Sequence, residues 1–208
     1  MNIPSHPLPL GAHARVAVVG ANRRRLLLTS LLACGRPHEL VSLAALQDDP
    51  VGFADADVIF LTEPVKVRGP GDPSSALWGE RVVVCAQEHQ PDGTNSAPPD
   101  RSDLKILTDQ LQAARVVGAF GAFSDHHLER MGLGACDSDV PVVGDDREAA
   151  DLVEALIDAV PGLTGVYSGP SRNAMAVEGL ASVLRVVASS HGGPVGFRMT
   201  QNGLRFLR

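Results

Sequence analysis

Short apolar runs alternate along this chain with longer stretches in which apolar positions recur every third or fourth residue. The runs Arg15 to Gly20 (R-V-A-V-V-G), Glu39 to Leu43, Asp57 to Thr62 (D-V-I-F-L-T), Arg81 to Ala86 (R-V-V-V-C-A), Arg115 to Ala119, Val140 to Val143 and Leu163 to Tyr167 predict strands. The run at Asp57 to Thr62 is apolar enough to be covered on both faces, as in a parallel sheet. Helical spacing predicts a helix over Arg23 to Ala33, with Cys34-Gly35 as its stop and Pro37 beyond it. Further helices are expected over Asp103 to Ala114 with Ser102 as a cap, over Arg147 to Val160 ending at Pro161-Gly162, and from Pro170 to about Ser189. Strands alternating with helices make the expected fold class α/β, a parallel sheet with a C-terminal helical extension.

Three stretches break the pattern. The first thirteen residues are aperiodic and suit a flexible tail. Glu63 to Gly79 carries Pro64, Gly69, Pro70, Gly71 and Pro73 where a crossover helix is expected, and Gln87 to Ser102 is polar, turn-forming and expected to be mobile. The chain is therefore divided into a tail at 1–14, a nucleotide-binding type of domain at 15–144, and a C-terminal helical region at 145–208 packed on it.

The 208 residues carry a formal net charge of -6, which argues against nucleic acid and anionic membrane surfaces as partners, because both call for a basic footprint. No apolar run approaches the roughly twenty residues that span a bilayer, and the N-terminus lacks a basic segment followed by an apolar one. A cytoplasmic location is expected. Cys34, Cys85 and Cys136 lie far apart, which indicates reduced thiols rather than a disulfide framework or a zinc site. Asp125-His126-His127 is the densest patch of potential metal ligands, but neighbouring residues point in different directions, so an exposed loop without metal is expected there.

The first strand carries the most informative chemistry. Its turn at Gly20 has the place of the tight turn in a Rossmann-like unit, where the pattern G-x-G-x-x-G lets backbone approach a pyrophosphate and helix pack on strand. Here Gly20 runs into Ala21-Asn22-Arg23-Arg24-Arg25. Two readings stay open. The arginines form an anion site at a helix N-terminus, or they form a solvated first turn.

From Arg115 onward the chain resembles the deazaflavin-dependent NADP reductases, which move hydride between coenzyme F-420 and NADP. The matching segments are Val116 to Phe120, Asp139 to Asp146 with Glu148-Ala149, Pro161-Gly162-Leu163, Ser168 to Ala174, Val177-Glu178 and a terminal strand at Val195 to Met199. Toward the N-terminus the resemblance thins to Asp57 to Thr62 followed by Glu63-Pro64, similar to the family's turn beside the nicotinamide. The resemblance implies a Rossmann-like fold, NADP or deazaflavin as cofactor, and a homodimer paired through the C-terminal region. It places the cofactor at Gly20, Ala21, Asn22, Arg23, Arg24, Ser42, Thr62, Glu63 and Pro64.

The departures fall at ligand positions. The family's glycine-rich phosphate loop becomes Gly20 to Leu26, and its Ser-Arg pair for the 2′-phosphate becomes Ser42-Leu43. The segment after the fourth strand becomes Gln87-Glu88-His89-Gln90, and the His-Thr-x-Pro stretch near the flavin becomes Gly121-Ala122-Phe123-Ser124. The expected function is a divergent oxidoreductase of this type with a degraded cofactor loop. The alternatives are a catalytically degenerate paralogue that binds a metabolite or a partner without any cofactor, and a non-redox enzyme using Asp125, His126, His127 or His89 as acid or base.

Overall fold

The computed structural model describes residues 14–35, 38–43, 55–64, 78–79, 81–88, 102–134, 137–193 and 195–200. Among them the chain order is β1 (Ala14–Val19), α1 (Arg23–Ala33), β2 (His38–Leu43), β3 (Val58–Leu61), β4 (Val82–Cys85), α2 (Asp103–Gln110), β5 (Arg115–Gly118), α3 (Asp125–Gly132), β6 (Ser138–Gly144), α4 (Arg147–Asp158), β7 (Leu163–Tyr167) and α5 (Ala174–His191). The expected tail, most of the proline-rich segment after Pro64, and His89 to Arg101 lie outside the described residues.

The strands form one sheet of order β2-β1-β3-β4-β5-β6-β7. The α/β class and the Rossmann-like scaffold are as expected, with strands β2 to β5 all parallel to their neighbours. One junction departs from an all-parallel sheet: β6 runs antiparallel to β5, joined through Val117 with Gly144 and Gly118 with Val143, and β7 then follows β6 in parallel. Apolar periodicity carries no strand direction, so the reversal was invisible in it. Glycine sits on both strands of the junction, where a Cβ on Gly118 would stand 2.9 Å from Val143.

Period-two alternation sorts the strand residues onto two faces. Val16, Val18, Val58, Phe60, Val82 and Val84 join one buried cluster with Leu28, Leu31 and Leu32 of α1, Leu128 and Met131 of α3, and Val153 and Ile157 of α4. Ala17, Val19, Ile59, Leu61, Val83 and Cys85 face the other way, against Leu104 and Leu107 of α2 and Ala174 at the start of α5. Burial on both faces is what near-continuous apolar strands require.

Asp125 to His127 is not an exposed loop. Ser124 caps a helix there by accepting from the His127 amide at 3.4 Å, and His127 is buried on its inner face while His126 is exposed. The signal was present: a serine cap, an acidic first turn, and Leu128 and Met131 three residues apart.

The terminal segment 195–200 lies beside the start of β6 without being a regular strand. Phe197 O accepts from the Asp139 amide at 2.6 Å, the Phe197 amide donates to Ser138 Oγ at 3.0 Å, and the Met199 amide donates to Asp139 Oδ2 at 2.5 Å. The Val195 amide donates to His127 Nε2 at 3.2 Å, so that nitrogen must hold a lone pair; the ring proton then lies on Nδ1, 2.7 Å from Ser124 Oγ. Burial, reinforced by His126, holds the His127 pKa below its ordinary value.

A neutral histidine in the folded state and an ordinary one in the unfolded chain give stability that is complete above about pH 6.5 and is lost as pH falls through the window below it. Between pH 7 and pH 5 the urea midpoint is expected to drop more steeply in the native protein than in His127→Gln. The difference should not exceed about 1.4 kcal/mol per pH unit for one group. Parallel pH profiles of the two proteins would remove His127 as the cause.

Candidate functional site

The loop from β1 to α1 holds the sequence-predicted cofactor residues, and the fold brings Gly20, Ala21, Asn22, Thr62 and Glu63 together across the ends of β1 and β3. Gly20 has φ of 154°, and a Cβ there would overlap the Thr62 hydroxyl. Glycine is therefore retained because β3 approaches the turn, independently of any phosphate. Asn22 caps α1: its Oδ1 accepts from the Arg25 amide at 3.2 Å, and its Nδ2 donates to Thr62 O at 2.8 Å. The buried Thr62 hydroxyl lies 3.1 Å from Val19 O and 2.9 Å from Asn22 Oδ1. The Ala21 amide donates to Glu63 Oε1 at 3.0 Å. Pro64 follows on the exposed side, and Ser42 stands on β2 in register with Val18.

Arg23 and Arg24 take different directions. Arg23 is exposed and pairs with Glu129 of α3 at 3.1 Å. Arg24 is 2% exposed and points away from the loop surface. Its Nε donates to Ala86 O at 2.5 Å, Nη2 to Phe120 O at 2.8 Å, and Nη1 to Phe123 O at 2.9 Å and to Asp125 Oδ1 at 3.2 Å. Burial pulls its pKa below the usual value, and Asp125 with Glu88 opposes that pull. A signal for this existed in the sequence: Arg24, Leu28, Leu31 and Leu32 share one stripe of α1, so Arg24 continues the buried face. Reading the arginines as one basic cluster hid it.

Arg24 shapes the neighbouring cleft. Phe120 has φ of 65°, a left-handed conformation that costs a bulky residue energy, and its carbonyl is one of the three that the guanidinium holds. The cleft encloses about 20 Å³, opens to solvent, and lies at the C-terminal ends of β4 and β5 under α5. Cys85, Gln87, Asp103, Gly118 to Ala122, Pro141, Val143, Val177 and Glu178 line it. Among the described residues the lining carries two carboxylates and no cationic side chain. Both Glu178 oxygens accept from the start of α2, from Asp103 N at 3.0 Å and Leu104 N at 3.1 Å, which suits a carboxylate at a helix N-terminus. Burial, with Asp103 and Glu178 nearby, pushes the Cys85 thiol far above its ordinary pKa, so it is no nucleophile at neutral pH.

Two of the segments that carried the family resemblance, Asp139 to Asp146 and Ser168 to Ala174, meet in one junction ahead of α5. Asp145 accepts from the Ser171 amide at 3.0 Å and its hydroxyl at 2.5 Å, the Gly144 amide donates to Gly169 O at 3.1 Å, and Tyr167 Oη donates to Gly144 O at 3.2 Å. Asn173 Nδ2 closes the turn on Ser168 O at 2.8 Å. Asp146 caps α4 through the Ala149 amide and is paired with Arg115, which holds its carboxyl below the usual range. These acids are structural.

Three groups of the β1–α1 loop already have partners within the chain. The Ala21 amide bonds the chain's own carboxylate, the Asn22 side chain occupies the Arg25 amide, and the Arg24 guanidinium is turned inward. Among the described residues no group of three or more His, Cys, Asp or Glu is placed to hold a metal ion, and no helix is long and apolar enough to cross a membrane.

No family model matches the sequence. Among solved structures, the fold is similar to that of a protein from Arthrobacter sp. FB24 assigned provisionally as an F-420-dependent NADP reductase, at 17% identity over 90% of this chain and 100% of that one, with a TM-score of 0.68. It is also similar to a Streptomyces aurantiacus imine reductase (16% identity, 85% of this chain and 63% of that one, TM-score 0.53). A third likeness is to GDP-mannose dehydrogenase from Pseudomonas aeruginosa (11%, 86% and 50%, TM-score 0.52). Identities this low show the fold alone: a Rossmann scaffold of the kind oxidoreductases use.

Arg24→Met should leave three carbonyls around the former guanidinium without their donor and lower stability by about 3–5 kcal/mol, read from urea unfolding. Arg24→Lys should recover only part of that, because an ammonium cannot reproduce the planar fork. A loss under about 0.5 kcal/mol in Arg24→Met, the size of a surface substitution, would remove the guanidinium from its structural role.

Proposed function

We propose that this chain is a catalytically degenerate relative of the deazaflavin-dependent NADP reductases, which binds a small uncharged or cationic molecule in the cleft under α5 and holds no dinucleotide. The observation that carries this reading is the Arg24 guanidinium, which turns away from the loop to bond Phe120 O in the cleft wall, with Ala86 O and Phe123 O beside it. The lining sets the ligand class. The negative charge of the Asp103 and Glu178 carboxylates in the lining disfavours anions, while Val143, Val177, Pro141 and Ala122 supply apolar contact.

A thermal-shift screen checks it. NADPH, NADH, oxidised deazaflavin and simple nucleotides should leave the melting temperature unchanged, whereas uncharged or cationic compounds that fit the cleft should raise it, because a ligand of the folded state alone stabilises that state. Val177→Phe, which fills the cleft from α5, should abolish those shifts. Micromolar NADPH binding with hydride transfer to deazaflavin would overturn the reading in favour of a working reductase. That second reading is supported by the position of the cleft at the C-terminal ends of β4 and β5, where open α/β sheets place their ligands.

The same lineage supports a homodimer built on α5, whose Val183 and Val186 are 56% and 65% exposed and whose Met175 is 39% exposed. A second copy of α5 is the occupant that the family resemblance favours. Light scattering should return twice 21.8 kDa, and Val183→Glu with Val186→Glu should return the monomer. A monomer from the native chain at every concentration would exclude the pairing.

A further inference from the structure

We infer that Glu63 is the specificity-determining residue that closes the β1–α1 loop to phosphate, its carboxylate standing as a built-in anion where a ligand's oxygen would bond. This deepens the reading above by naming the group responsible. The arginines are the obvious suspects in the sequence, yet neither Arg23 nor Arg24 obstructs the loop amides: Arg23 reaches out to Glu129 and Arg24 turns into the core. What meets the loop backbone is Glu63 Oε1, 3.0 Å from the Ala21 amide, two residues before α1 begins.

The backbone that carries the carboxylate is fixed by its surroundings. Its neighbour Thr62 is buried, its amide donates to Val19 O at 3.1 Å, and its carbonyl accepts from Asn22 Nδ2 at 2.8 Å. The end of β3 is thereby fixed against the turn that Gly20 makes possible. A pyrophosphate entering the loop would have to displace a carboxylate from the amide and then lie beside its negative charge, with the repulsion felt at contact distance. Restoring glycine at Asn22 and Arg25 would leave that charge in place.

Isothermal titration with inorganic pyrophosphate, and separately with NADPH, tests this on the full chain. Native protein should bind neither measurably. Glu63→Gln keeps an acceptor for the Ala21 amide but removes the charge, and Glu63→Ala removes both. Pyrophosphate affinity should rise at least about tenfold in Glu63→Gln and further in Glu63→Ala, and should weaken with added salt. Asn22→Gly with Arg25→Gly on the native Glu63 background should gain nothing. Melting curves like that of the native chain establish that the variants fold, and Val177→Phe added to Glu63→Ala should leave pyrophosphate binding unchanged, which separates the loop from the cleft. Folded Glu63 variants that bind no better than the native chain would overturn the inference, as would micromolar pyrophosphate binding by the native chain. A cleft that binds none of the screened compounds would instead count against the proposed function alone.

Discussion

A single buried guanidinium ties together three separate segments of this fold. Arg24 enters from α1 and gives hydrogen bonds to the residue after β4, to the turn after β5 and to the start of α3. A charge this deep is costly unless its donors are satisfied, and here four bonds, one of them to the Asp125 carboxylate, satisfy it. Because hydrogen bonds from a charged donor contribute about 1.5–3 kcal/mol each, the set can hold Phe120 in a left-handed conformation that the turn would otherwise relax.

That arrangement also bears on the first loop. In a dinucleotide-binding unit the turn after β1 presents backbone amides and a helix dipole to a pyrophosphate. Here the same amides meet the Glu63 carboxylate and the Asn22 side chain, and the residue that follows them turns inward. Strand, turn and helix are all present, and the exposed turn between them is closed by the chain's own side chains. The scaffold keeps its geometry because sheet packing demands it, and packing is indifferent to whether a phosphate or a side chain completes the loop.

At the other edge of the sheet, the structure explains why resemblance was concentrated near the C-terminus. Gly144 to Asp146 and Ser168 to Asn173 are far apart in the chain but form one hydrogen-bonded junction, and Glu178 then docks α5 on the start of α2. These residues orient the roof of the cleft. Their persistence reports on architecture, and the chemistry inside the cleft is free to differ.

Local patterns determined a good deal by themselves. The sequence expectation and the structure agree on α1 at Arg23–Ala33, on β7 at Leu163–Tyr167, and on Ser102 as the cap of α2, because apolar periodicity, glycine stops and capping side chains act within a few residues. Helix α3 was equally local and was missed because the histidines drew a metal question to a segment whose cap and stripe already answered it. Tertiary structure alone decided the rest. The direction of β6, the pairing of Ala21 with Glu63 across 42 residues, and the reach of Arg24 across 62 to Ala86 and 99 to Phe123 depend on which strands lie side by side. A charged residue in a sequence states what it can bond. Only the packed sheet states which carbonyls come within reach, and so whether an arginine beside a glycine turn faces a ligand or the core.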